Sequence, residues 1–179
     1  MSKLTPCLLA LVLIALAIGV RAQSQAATLI PKGKLIVSSH SHDCAAVDDT
    51  VDVAVSINAT IEAVDMGGFD FLYDSSQLEY VGFKQGGLTN VWPFFNAVNW
   101  GDFVRVGGFT NIPIPAGMAG DFVILRFVPH CCESASAVPL CLTTLVSDFF
   151  GMSTECGSVQ CTTLSTQPSS WGYVKSIYR

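Results

Sequence analysis

Charged side chains are scarce. Asp, Glu, Lys and Arg make up 13% of the 179 residues, and 9 residues are basic against 14 acidic ones. No basic stripe exists to neutralise a phosphate backbone, so nucleic acid is excluded as a partner. Long charge runs and low-complexity tracts are also missing, which excludes a solvated acidic or basic tail. No window of the exported region described below carries the spacing of a long amphipathic helix, so a helical bundle is excluded. Catalytic signatures are absent: there is no G-x-S-x-G elbow, no H-E-x-x-H pair and no glycine-rich phosphate loop. The 3 histidines, His40, His42 and His130, all lie close to cysteines, which leaves little material for a Ser-His-Asp arrangement. Asp102 with Asp121 is a carboxylate pair of the kind glycoside hydrolysis needs, but nothing in the sequence sets their separation. The expectation is a non-enzymatic protein with no cofactor and no metal.

Hydrophobic residues, by contrast, reach 50%. Much of that excess is at the N-terminus, where Lys3 precedes an apolar run from Leu8 to Ile18 and small residues follow at Val20 and Ala22. This is the pattern of a secretory signal peptide over residues 1–22, and the run is short for a membrane anchor. Cys7 precedes the run, so no lipid-anchor cysteine follows it. Cleavage removes Lys3 and Arg21, making the exported chain more acidic still. About 157 residues remain, enough to bury roughly two thirds of their unfolded surface in one core. Residues 23–32 read as a flexible lead-in and residues 33–179 as one domain, exported and either free or held at the cell surface.

Within that domain apolar residues return at period two: Leu35/Val37, Val51/Val53/Val55/Ile57, Phe69/Phe71/Tyr73, Leu78–Phe83, Val104/Val106, Phe122–Val128, Val138–Phe150 and Trp171–Ile177. Breakers at Gly67-Gly68, Gly86-Gly87, Gly107-Gly108 and Ile112-Pro113-Ile114-Pro115 separate them. Short alternating strands joined by turns predict an all-β, two-sheet antiparallel sandwich, with a closed barrel as the competing architecture. Phe69, Phe71 and Tyr73 share one side of their strand and are expected between the sheets, while Gly67 and Gly68 allow a bulge or a close approach.

Six cysteines remain after cleavage: Cys44, Cys131, Cys132, Cys141, Cys156 and Cys161. An even number in an exported chain predicts three disulfides. Cys156 with Cys161 would close a small loop, and the adjacent Cys131 and Cys132 are expected to reach different partners, of which Cys141 and Cys44 are candidates. The competing arrangement is a zinc site drawn from His40, His42, Cys44, His130, Cys131 and Cys132, whose spacing matches no zinc-ribbon or finger pattern.

The stretch Val51–Ile57, followed by Gly67-Gly68-Phe69-Asp70-Phe71-Leu72-Tyr73-Asp74 and Leu78-Glu79-Tyr80-Val81, resembles cohesin domains. Gly86-Gly87-Leu88, Val104–Gly108 and Gly120–Phe127 follow in the order that family shows. The resemblance implies a nine-stranded sandwich of jelly-roll topology, akin to family 2 and 3 cellulose-binding modules. It implies docking of a dockerin-like protein on a flat sheet face or, through the wider kinship, binding of polysaccharide in the service of its breakdown. A purely structural envelope protein is the third reading.

Candidate contact residues come from two segments. Asn90–Asp102 sets aromatics beside amides, with Trp92, Phe94, Phe95, Asn96 and Trp100 as candidates, and the competing account folds this stretch over the sandwich edge with Trp100 plugging the core. Ile112–Met118, stiffened by two prolines, offers Ile112 and Ile114. Asp43, Asp48, Asp49 and Asp52 lie close together but miss the calcium-loop pattern and read as solvated turn carboxylates. Asn58-Ala59-Thr60 satisfies the glycosylation pattern.

Overall fold

The computed structural model describes residues 32–43, 49–130 and 137–162. The leader, Cys44, Cys131, Cys132 and the expected strand at 171–177 lie outside the described residues. Eleven strands are present among them: β1 (Lys34–Val37), β2 (His40–Asp43), β3 (Val51–Asn58), β4 (Val64–Leu72), β5 (Leu78–Gln85), β6 (Phe94–Asn99), β7 (Phe103–Ile114), β8 (Gly120–Pro129), β9 (Ala137–Ser147), β10 (Ser153–Glu155) and β11 (Gly157–Thr162). They form two sheets, ordered β10-β1-β3-β8-β5 and β2-β11-β9-β4-β7-β6. The architecture is the predicted sandwich of jelly-roll type, not a closed barrel.

The strand count exceeds nine because two chain segments cross between sheets. β1 and β2 are separated by Ser38-Ser39, and β10 and β11 by Cys156, yet each pair divides between the two sheets. The crossing segments run parallel, β1 beside β10 and β2 beside β11. Strands that change sheets make the corner of a sandwich, and here they join its two layers along one side. Gly157 sits at the crossing, where a Cβ would lie 2.2 Å from the Ser38 carbonyl oxygen.

Alternation fills the space between the layers. β3 buries Val51, Val53, Val55 and Ile57 and turns the residues between them outward. Phe69, Phe71 and Tyr73 are buried as expected and meet Phe122, Phe127 and Phe149 from the other elements. Trp92 is not a surface residue: it is 3% exposed, and its indole packs edge-on against Phe122 at 5.4 Å. Ile114 is likewise buried, because β7 continues past Pro113 and places it opposite Val64.

The glycine pairs at 67–68 and 107–108 lie inside strands rather than between them. Gly67 pairs with Gly108 and Gly68 with Gly107 across the β4–β7 ladder. Side chains are excluded there by the core: a Cβ on Gly67 would lie 2.7 Å from the Phe149 ring, and one on Gly108 would lie 2.7 Å from Phe95 and 3.0 Å from Trp92.

A disulfide among the described residues differs from the expected loop. Cys141 pairs with Cys156, with 4.5 Å between their Cα atoms. Cys156 and Cys161 are held apart by the extended β11, roughly 3.3 Å per residue, whereas the β9–β11 register, Leu140 opposite Gly157, carries Cys156 to Cys141. Cys161 is buried.

Two outcomes follow from this packing. Gly67→Ala should destabilise the domain by about 1–3 kcal/mol in urea unfolding, because the buried Phe149 ring has to move. Replacing Cys141 and Cys156 together with serine should cost about 3 kcal/mol, read the same way, as expected for a cross-link closing a loop of this length.

Candidate functional site

The two outer faces of the sandwich differ in chemistry. On the five-stranded sheet, Arg126 donates two hydrogen bonds to the Asp52 carboxylate at 2.7 and 3.0 Å, and Lys84 a third at 3.1 Å. Lys34 pairs with Glu155, and Ser56 donates to Asp121. The Arg126 hydrogen bond is the chief reason that the Asp52 carboxyl is held down at about 2, against an opposing contribution from burial. This is a solvated, ion-paired surface. Asp52 is thus a strand residue in an ion-pair cluster, and among the described residues no three His, Cys, Asp or Glu side chains converge as for a metal.

The outer face of β9-β4-β7-β6 carries Met66, Leu72, Phe94, Val98, Phe109 and Val146, all exposed. Exposed apolar side chains grouped on a sheet face make it a candidate contact site. Its relief follows from register. One row across the strands is Met66–Phe109–Phe94, in which the two phenylalanine rings stack at 4.5 Å and 13°. The next row is Val146–Gly68–Gly107–Asn96, floored by glycine at its centre. The third is Thr143–Asp70–Arg105–Val98. The glycine row is therefore a trough across the strands, walled by aromatic rings on one side and by an ion pair on the other. The groove has a volume of about 810 Å³.

The charged wall is built with care for desolvation. Asp70 is 7% exposed and accepts two bonds from Arg105, at 2.7 and 2.9 Å. That hydrogen bonding lowers its carboxyl below the ordinary carboxylate value, opposed by burial and helped by a hydrogen bond from Thr144. Thr144 reaches it from an irregular stretch of β9, where its φ of 51° is rare for a β-branched residue. Arg105 lies over the Phe103 ring at 5.4 Å, and Phe103 stacks on Trp100.

The sequence-derived candidates separate accordingly. Phe94 and Asn96 lie on this face, Phe95 turns inward against Phe122, and Trp92 and Ile114 belong to the core. Trp100 is 63% exposed at the tip of the β6–β7 hairpin, so Trp92 and not Trp100 is the core plug. Ile112 is exposed at the end of β7, away from the trough. The sequence does not single out Met66, Phe109, Val146 or the Asp70–Arg105 pair; the signal for them lies in the two Gly-Gly dipeptides, which read as strand breakers, with a bulge or close approach also allowed at Gly67-Gly68. The Asp102–Asp121 pair is not a site: Asp102 accepts from Ser75 beside the β4–β5 turn, while Asp121 accepts from Ser56 at the opposite end of β8.

No family model matches the sequence. No curated protein matches it. Solved structures do match in fold. A non-cellulosomal cohesin from the archaeon Archaeoglobus fulgidus is 18% identical at a TM-score of 0.60, covering 79% of this chain and 97% of its own. A cohesin from Clostridium acetobutylicum, solved in solution, is 20% identical at 0.60, covering 74% and 92%. A chain of a type I cohesin–dockerin complex from Clostridium thermocellum is 14% identical at 0.61, covering 73% and 99%. The fold is that of cohesin domains.

The Asp70–Arg105 pair carries a pH signature. A carboxyl held below its ordinary value of 3.8 contributes stability that is complete above that value and is lost as pH falls below it. Urea unfolding between pH 5 and pH 2 should therefore show a shallower acid limb for Asp70→Asn than for the wild type. Identical limbs would mean that the pair contributes nothing.

Proposed function

We propose that this protein is an exported, non-catalytic docking module that holds a dockerin-like protein domain on the outer face of β9-β4-β7-β6. The observation that carries the reading is the asymmetry of the two sheets: one outer face is laced with ion pairs, the other displays stacked aromatic and aliphatic side chains around a trough. The cohesin fold supports the partner class, since a solved relative of this fold is described in complex with a dockerin. Export is supported by the N-terminal leader pattern and by the Cys141–Cys156 bond, which suits an oxidising compartment. Among the described residues no helix is long and apolar enough to cross a membrane.

Polysaccharide is the second reading, favoured by the Trp100–Phe103 ledge, whose rings are parallel within 8° and present Trp100 to solvent. The two readings place the decisive aromatics differently. Titration of the domain with a panel of dockerin domains should find at least one binder, and Phe94→Ala should weaken it at least 10-fold, the loss expected of a hot-spot aromatic. No binder in the panel, with retention on insoluble cellulose that Trp100→Ala abolishes, would replace the docking reading by the carbohydrate one. Neither activity would point to an envelope component.

A further inference from the structure

Three of the four glycines in the β4–β7 ladder are explained by their own surroundings. Gly67 and Gly108 make room for Phe149, Phe95 and Trp92, and a Cβ on Gly68 would lie 2.9 Å from the Val106 carbonyl oxygen. Gly107 is different. A Cβ there would meet only the Gly67 oxygen at 3.5 Å and the Gly68 Cα at 3.8 Å, ordinary contact distances, and its φ is not in the left-handed region. Glycine inside a strand weakens it, and alanine would be accommodated, so the fold supplies no reason for this residue. Glycine in a strand also marks close approach by another molecule, and Gly107 faces the trough.

We infer that Gly68 and Gly107 form a size-selective seat for one large apolar side chain of the docked partner, between the Phe94–Phe109 stack and the Asp70–Arg105 pair. This rests on the docking reading above and adds the residue-level determinant to it. The occupant is a helix laid across the strands. An extended segment there would find no backbone partners, because β4 and β7 are central strands whose ladders are occupied on both sides, and burying unpaired backbone on an apolar floor is costly. A helix satisfies its own backbone. The trough crosses four strands, roughly 14 Å at the spacing of neighbouring strands, which two to three helical turns would span. The chemistry of the walls fixes the rest: aromatic rings suit an apolar stripe, and Arg105, 56% exposed at its side chain with its Nη1 outside the Asp70 pair, suits a carboxylate or carbonyl on the helix edge.

The test uses the dockerin domain that binds most tightly in the titration above. Gly107→Ala should leave the melting temperature unchanged or raised while weakening binding about 10-fold, and Gly107→Leu should abolish it. Truncating the seated apolar residue of the dockerin helix to alanine should cost Gly107→Ala less affinity than it costs the wild type, a coupling that a merely structural glycine would not show. Equal affinity of wild type and Gly107→Ala, with the dockerin still bound and still sensitive to Phe94→Ala, overturns the seat and leaves the docking reading standing. A panel with no binder overturns both.

Discussion

The contact between the β4–β7 ladder and the rings beneath it is the constraint on which the rest of the structure depends. A sheet can take large aromatic side chains from loops and neighbouring strands only where its own strands supply none. By leaving Gly67 and Gly108 bare on the inner side, the ladder admits Phe149 from the turn after β9 and the Trp92–Phe95 pair from the segment before and within β6. Those rings close the space around Phe122 and tie three otherwise separate connections to one core. The same bareness continues on the outer side at Gly68 and Gly107, so one sequence feature shapes both the interior packing and the relief of the exposed face.

Burial on one side only is what made most strands legible. Val51, Val53, Val55 and Ile57, or Phe69, Phe71 and Tyr73, announce themselves because every second residue must avoid water. The strand β6 was hidden for the converse reason: Phe94 and Val98 are apolar on its exposed side and Phe95 and Ala97 half-buried on the other, so no alternation survives. Glycine is ambiguous in the same physical sense. A residue with no side chain serves a turn through its dihedral freedom and a ladder through its lack of bulk, and only the neighbours in space tell the two apart. Trp92 and Trp100 show the limit most plainly, since two identical side chains eight positions apart take opposite environments according to which has Phe122 above it.

The placement of charge complements this. A chain poor in charge has placed its best-made ion pairs away from the exposed aromatic rings: Asp52, Arg126 and Lys84 on the far sheet, Asp70 with Arg105 at the margin of the trough. In the second case the carboxylate is sunk and the guanidinium is raised, so what the margin presents outward is cationic although the protein as a whole is acidic. An approaching surface meets apolar rings first and a directional donor beside them.

The crossing segments at the sandwich corner have a mechanical meaning. β1 and β2 run parallel to β10 and β11, so opposed tension applied through these two segments slides one along the other and loads their bridging hydrogen bonds together rather than one after another. Cys141–Cys156 clamps the second crossing to β9 midway along that seam, which keeps a slip in one sheet from propagating into the next. Load carried through these segments therefore meets a joint that shears as a unit instead of unzipping.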